Sequence, residues 1–415
     1  MSRIQQTAAL IFASVVAHAL VLFLINPLDW SPGDEGYYLA VARSIISHAG
    51  YSVAGEPTTY RTPGYPLFLA ILLQLRDSPV FVFAAQSLLG LSVGLLTLVR
   101  VPIHGIWVAL LIVTSPFLII FEYRLYSEAL FIPLLWAAFL LLAFPLRRRD
   151  PWTAGLFLGV AILTRDSLLL LPLALVALGV VQRDILKPAL IATAVAALVI
   201  LPWPLRNASL PAGSFSMGNG RAGFNLWVGT WERNIDWARP SVANPTFPHY
   251  AFRDIAERQR LLVALQAGDD SAFKDAAVSR IRTNFPFVLK SWASRYWRLW
   301  SGTRSDAKFR AAVGSLPWYV AKAVLLALNL LTLALGLVGM ALNWRRPLMA
   351  LPVVYIALVH IPFHNVEARY SLPAVPFLYF FAVTAMAMAW PRLAPMIRHR
   401  SARLDRADES GPVQG

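Results

Sequence analysis

The chain contains no cysteine, which excludes disulfides, thiolate nucleophiles, iron–sulfur clusters and Cys-ligated zinc. Charge is scarce too. Asp, Glu, Lys and Arg make up 14% of 415 residues, against about 25% in a soluble domain. A water-facing globule cannot be covered with so little polar surface. Lysine is rarer still, with five among 37 basic residues, so the net charge of +15 is carried by arginine. Most of that surplus reads as membrane-anchoring charge and Arg-favouring codon usage. Some guanidinium forks remain suited to phosphate oxygens. No basic domain with interleaved aromatics stands apart, so nucleic acid is not an expected partner. No glycine-rich loop cradles a nucleotide phosphate. No dense His/carboxylate cluster demands a metal, although a divalent cation between Asp34, Glu35 and a phosphate is compatible with the sequence.

What the chain has in quantity is apolar surface: 57% hydrophobic residues and a mean hydropathy of +0.57. Windows of roughly 20 apolar residues, the length of a bilayer helix, recur throughout. They predict about ten spans, at 7–26, 79–99, 104–121, 129–146, 152–165, 167–182, 187–204, 317–342, 348–363 and 371–391, the two between 152 and 182 being short. The run from Thr7 is too long for a cleaved signal and reads as a retained anchor. Short-loop cations at Arg147–Arg149, Arg183 with Lys187, Arg345–Arg346 and beyond Arg392 fall on one side, which places both termini in the cytoplasm. The domains expected are a membrane region over 1–204 with a first outer loop at about 29–76, an external domain over 205–316, a second membrane region over 317–392 and a basic cytoplasmic tail over 393–415. The external segment carries 16 basic against 8 acidic residues; loops this long escape the positive-inside rule, so its charge does not reverse the topology. Within it, 271–284 and 286–300 read as helices, with Pro286 in a first turn. Val288, Trp292, Tyr296 and Leu299 share one face, read as a helix lying on the membrane surface, with Lys290, Arg295 and Arg298 elsewhere.

The chemically informative residues sit where apolar matrix meets outer water. After the first span comes Ser31-Pro32-Gly33-Asp34-Glu35-Gly36-Tyr37-Tyr38. Adjacent carboxylates there offer a general base for an acceptor hydroxyl. Asp34 equally suits a helix N-cap, which would leave Glu35 free. The loop continues Gly55-Glu56-Pro57-Thr58-Thr59-Tyr60-Arg61-Thr62-Pro63-Gly64-Tyr65-Pro66, a composition for an ordered cap over a cavity. Arg61 reads either as a phosphate contact or as an interface anchor. Arg124, Arg165, Arg206, Arg369, His360 and His364 share that outer face with Glu122, Glu128, Asp166 and Glu367. The plain reading of each is a local ion pair, such as Arg124 with Glu128 one turn apart. Their convergence from five stretches also fits group transfer from a phosphorylated lipid.

These residues carry a resemblance. Asp34-Glu35 with Tyr37-Tyr38, Arg61-Thr62-Pro63-Gly64-Tyr65-Pro66-Leu67, Tyr126-Ser127-Glu128-Ala129-Leu130, Gly159 through Arg165, Pro202-Trp203-Pro204-Leu205-Arg206-Asn207, Gly223-Phe224-Asn225-Leu226-Trp227 and Arg369-Tyr370-Ser371-Leu372-Pro373 occur in an order similar to that of GT-C-type membrane glycosyltransferases. The likeness is to the bacterial branch that resembles protein mannosyltransferases and the lipid A aminoarabinose transferase, and it covers most of residues 1–392. It implies an all-α polytopic bundle of the GT-C kind with a mainly helical extracytoplasmic domain, in a bacterial inner membrane. The implied activity is inverting transfer of a sugar from a polyprenyl-phosphate donor to a glycan, lipid or protein acceptor. Asp34 or Glu35 is the implied catalytic base; Tyr37, Glu56, Arg61, Tyr65, Glu128, Arg165, Arg206, Arg369 and Tyr370 are the implied substrate contacts. The main rival is a lipid or polysaccharide transporter. Transporters favour ionisable groups near the bilayer midplane and repeated halves; here the ionisable residues favour the span ends, with His18 the clearest exception, and the sequence shows no repeat.

Overall fold

A computed structural model describes residues 2–24, 34–211, 213–218, 222–230, 259–261, 263–264, 269–301, 315–362 and 368–389. The expectations for residues 29–33, for most of the chain between 231 and 268, for His364 and Glu367, and for the basic tail lie outside these residues. What is described is almost wholly helical. The chain runs α1 (Arg3–Leu24), α2 (Asp34–Ile46), a two-residue hairpin of β1 (Ser52–Val53) and β2 (Glu56–Pro57), α3 (Gly64–Leu75), α4 (Pro79–Arg100), α5 (Gly105–Val113), α6 (Pro116–Glu122), α7 (Glu128–Ala143) and α8 (Asp150–Thr164). It continues through α9 (Leu171–Val181), α10 (Arg183–Ile200), α11 (Pro202–Ala208), α12 (Ala222–Gly229), α13 (Asp270–Thr283), α14 (Phe285–Ser301), α15 (Ser315–Leu342), α16 (Pro347–Val359) and α17 (Arg369–Ala389), whose first residues form a 3-10 turn.

The expected spans fall on helices, that at 104–121 on the two helices α5 and α6, because apolar backbone can satisfy its own hydrogen bonds only by coiling or by closing a barrel. Among the described residues five helices are long and apolar enough to cross a membrane: α1, α4, α10 with α11, α15 and α17. A sixth crossing results if α5 and α6, bent by 50° at Thr114–Ser115, count together. The other expected spans form shorter apolar helices, α7, α8, the Asp166–Val181 stretch and α16. Of these α7 sits deepest, with Leu135, Trp136, Phe139 and Leu140 fully buried. A helix apolar on every side is one that protein surrounds. Its outer sides meet α4, α8 and α17, and Trp136 Nε1 donates to Thr97 Oγ1 at 2.8 Å.

Small residues set the closest helix pair. Gly155 and Gly159 of α8 face Ala192, Val195, Ala196 and Val199 of α10 so tightly that a Cβ at either glycine would collide with the neighbouring helix. Where lipid is as apolar as leucine, such close packing is what holds helices together. At the other end of α4 and α8, Arg100 forks onto Asp150 at 2.5 and 3.2 Å, and the Leu146 and Arg147 amides donate to the same carboxylate.

The described part of the 205–316 segment has a small core of its own, in which Phe224 and Trp227 pack on Phe273, Ala276 and Ala277. Asp270 accepts from the Gly223 and Phe224 amides at 2.7 and 2.9 Å, capping α12 from a neighbouring helix. Both predicted helices form, as α13 and α14. The aromatic face of α14, however, turns inward rather than onto a membrane surface: Val288 and Leu299 are fully buried, and Trp292 Nε1 donates to the Gly229 carbonyl at 3.0 Å. Periodicity reveals an apolar face without saying whether lipid or protein covers it. Phe285, Leu289 and Trp297 are large apolar residues of α14 that stand exposed.

The α8–α10 contact makes a direct prediction. Gly159→Leu should destabilise the protein by at least about 1–3 kcal/mol, the usual penalty for overpacking. Gly36→Ala, whose added methyl meets nothing, should be near neutral. Thermal unfolding of both variants in lipid nanodiscs measures the difference.

Candidate functional site

The expected acids and arginines come together around the first turn of α2, and most are already paired. Asp34 Oδ1 accepts from Arg61 at 2.5 Å, and Oδ2 accepts from Arg369 at 3.3 Å. Its side chain keeps 24% of its exposure. Glu35 is 1% exposed. It takes a two-pronged grip from Arg124, Nε to Oε1 at 2.7 Å and Nη2 to Oε2 at 2.9 Å, and a third bond from the Leu125 amide at 3.2 Å. The idea that an Asp34 cap would leave Glu35 free is therefore corrected: successive residues at a helix start point in different directions, and Glu35 points into protein. The one-turn pair of Arg124 with Glu128 is not formed either. Arg124 lies just beyond α6, outside any helix shared with Glu128, and Glu128 instead accepts from Arg165 at 3.2 Å.

The loop bearing Arg61 is ordered by local bonds. Ala54 and Gly55 both adopt left-handed backbone (φ 53° and 84°), the pairing that lets a two-residue hairpin turn match strand twist. Arg206 donates to the Thr58 and Tyr51 carbonyls at 2.8 and 3.0 Å and stacks near Trp203. Tyr51 in turn donates from its hydroxyl to the Arg61 carbonyl at 3.0 Å. Gly64 then starts α3 against the end of α8, where a Cβ would strike Thr164 and the Leu163 carbonyl. That contact brings the Arg61 loop beside Arg165.

On the far side, Tyr370 is sandwiched. The His360 ring stacks on it at 5.1 Å, and the Arg165 and Arg369 guanidinium groups lie 4.9 and 5.1 Å from its centroid. Arg369 also donates to the Tyr370 hydroxyl at 3.2 Å. A small cavity opens here, lined by Arg165, Ser167, Tyr355, His360, Arg369 and Tyr370 among others. Phe131 adds a ring whose centroid lies 5.8 Å from the Arg165 guanidinium carbon.

Of the expected contacts, Asp34, Arg61, Glu128, Arg165, Arg369 and Tyr370 therefore share one cluster. Tyr37 borders it, its hydroxyl 3.0 Å from Thr58 Oγ1 and its ring against Tyr60. Three others do not face the cluster as substrate contacts. Tyr65 is fully buried and donates to Gln86 at 2.7 Å; Arg206 is engaged with loop carbonyls; Glu56 is exposed on the hairpin. Sequence reading named Tyr126 only as part of a motif and gave it no role in the site, although its ring lies 5.8 Å from both the Arg124 and Arg369 guanidinium carbons; it also missed the His360–Tyr370 stack. Lone aromatics in apolar sequence carry no signal that separates a site wall from a core.

Two electrostatic features stand out. The cluster sets four guanidinium groups, Arg61, Arg124, Arg165 and Arg369, against three carboxylates, Asp34, Glu35 and Glu128, and Arg61 Nε is buried without a hydrogen-bond partner. Burial alone would push the Asp34 carboxyl upward, but Arg61, Arg369 and Arg165 outweigh it and hold Asp34 below the ordinary carboxylate range. Among the described residues no three His, Asp or Glu side chains group as a metal-ion site.

No family model matches the chain, and neither a curated protein nor a solved structure matches it.

The Asp34 pairing has a definite pH signature. A carboxyl whose folded value lies below its unfolded value (about 3.9) stabilises the fold above that pH, and the contribution disappears as pH falls through the folded value. Native protein should therefore exceed Asp34→Asn in stability at neutral pH, and the gap should close only below about pH 4. Unfolding of both proteins across a pH series reads this directly; a gap already closed at pH 5 would contradict the ion-paired arrangement.

Proposed function

We propose that this protein is a membrane glycosyltransferase of the GT-C kind, which moves a sugar from a polyprenyl-phosphate donor to an acceptor hydroxyl at the outer face of a bacterial inner membrane. The observation that carries this reading is Asp34: an ionised carboxylate with residual exposure, held between Arg61 and Arg369 beside long apolar helices. Such an arrangement suits a substrate with a lipid tail, one phosphate and a hydroxyl to be deprotonated. The cationic excess of the cluster suits a phosphodiester, which carries a single negative charge.

In the proposed reaction the acceptor oxygen attacks the anomeric carbon from the face opposite the phosphate. The new carbon–oxygen bond forms as the bond from that carbon to the phosphate oxygen breaks. The acceptor proton passes to the Asp34 carboxylate, and polyprenyl phosphate leaves with one more negative charge than the donor had. Arg61, Arg165 and Arg369 stabilise that developing charge, where fixed donors act most strongly. Tyr370, with both guanidinium groups against its ring and His360 stacked on it, keeps Arg165 and Arg369 in place.

The resting pairs also supply an activation step. A carboxylate held by two arginines is a poor base, because its proton affinity is depressed. A donor phosphate that draws Arg61 and Arg369 to itself relieves Asp34 and raises its affinity for the acceptor proton. Binding energy is thereby converted into base strength. Glu35, locked by Arg124 and a backbone amide, serves better as a structural anchor than as the base.

The test uses purified protein in lipid with radiolabelled polyprenyl-phosphate sugars. Native protein should release and transfer label. Asp34→Asn should lose at least about a hundredfold in kcat, the lower range for general-base removal, while still binding donor. Glu35→Gln should lose activity together with stability, since a buried pair stripped of one partner costs about 3–5 kcal/mol. The acid limb of kcat/KM, which reports free enzyme, should lie at lower pH than that of kcat. Equal turnover by native and Asp34→Asn protein would remove Asp34 as base. Labelled lipid crossing the bilayer with no turnover would favour the transporter reading.

A further inference from the structure

His18 and Glu122 form a polar contact inside the helical bundle that the proposed chemistry does not use. His18 lies in the apolar run of α1, and Glu122 ends α6; both are buried. His18 Nδ1 is 2.7 Å from the Ser14 carbonyl oxygen, and Nε2 is 2.7 Å from Glu122 Oε2. A carbonyl only accepts, so Nδ1 carries a hydrogen. One further proton then joins Nε2 to Oε2, whichever of the two atoms holds it.

The surroundings are shaped for this contact. A Cβ at Gly90 of α4 would collide with the Glu122 carboxylate, and Tyr123 packs edge-on to the imidazole at 5.8 Å. One turn earlier on α4, Gln86 donates to the Glu122 carbonyl at 2.6 Å and the Arg124 carbonyl at 3.2 Å while accepting from Tyr65. The six residues that follow Glu122 carry Arg124, which grips Glu35, and Glu128, which grips Arg165. Glu35 is the neighbour of Asp34. Pairs of this sort give little net stability over well-packed apolar residues, so their presence here asks for another role.

We propose that His18 and Glu122 are a positioning pair, which anchors the Glu122–Glu128 segment from within the apolar bundle and so sets the aim of Asp34 through Arg124 and Glu35. The kinetic part of this inference rests on the transfer reaction proposed above; the structural part does not. Removing both partners deletes the anchor without stranding a buried polar group, which is the milder perturbation.

The experiment compares full-length native protein, His18→Gln, Gly90→Ala and the double variant His18→Leu/Glu122→Leu in nanodiscs, by amide hydrogen exchange and donor turnover. The double variant should remain folded, with native exchange over 269–301. Exchange should rise over 34–46 and 122–128, most at the Leu125 amide. Its kcat should fall by about tenfold to a hundredfold, as misplacement remote from the chemistry can do, with KM for donor little changed. Gly90→Ala, which displaces Glu122 without altering charge, should show the same pattern, and His18→Gln, which keeps a hydrogen bond to Glu122, should recover most of the native behaviour. Native exchange over both segments, or native kcat, in the double variant and Gly90→Ala would overturn the proposal. If native protein turns over no donor, the transfer reading fails, and the exchange data alone decide whether the pair positions this segment.

Discussion

Two parallel hydrogen bonds between Arg124 and Glu35, closed off by the Leu125 amide, join the first turn of α2 to the segment between α6 and α7. Charge taken out of water must be matched by charge and hydrogen bonds in good geometry, or the cost is several kcal/mol per ion. That requirement ties α2 to the bundle interior, and with it the neighbouring Asp34. The same rule accounts for Glu128 with Arg165 on the next element along the chain. Each acid of the cluster has found an arginine from a distant part of the sequence, and the site is the place where those pairings meet.

Around these pairs the remaining polar groups form a support. Arg206 holds the hairpin loop by its carbonyls, Tyr51 holds the Arg61 backbone, and Gln86 links Tyr65 to the end of α6. None of these needs to touch a substrate to matter, because each keeps a guanidinium or carboxylate from swinging away. Asp34 differs from the other acids in keeping some exposure while under the pull of more than one arginine. A group so placed is ready to exchange partners, which is why the proposed chemistry centres on it.

Helix positions and the charged residues at helix ends were legible from sequence, for a physical reason. Continuous apolar stretches of this length satisfy their backbone in lipid as helices, so hydropathy alone locates α1, α4, α15 and α17. Ionisable residues at the ends of such stretches are conspicuous because the rest of the chain has so few. Pro286 and the spacing around Val288 likewise marked α14 before any coordinates.

Partnership was not legible. Spacing favoured Arg124 with Glu128, yet the chain between them is not helical, and α2 delivers Glu35 to Arg124 from 89 residues away. Tyr65 and Arg206 read as site residues from their motif neighbours, but side-chain direction turned one into the core and the other onto the loop. The α14 stripe showed a buried face without its covering. Composition and hydropathy therefore decided that this chain is helical, apolar and arginine-bearing at its helix ends. Tertiary structure alone decided which charges neutralise one another, since ion pairing depends on distance in space and not on separation along the chain.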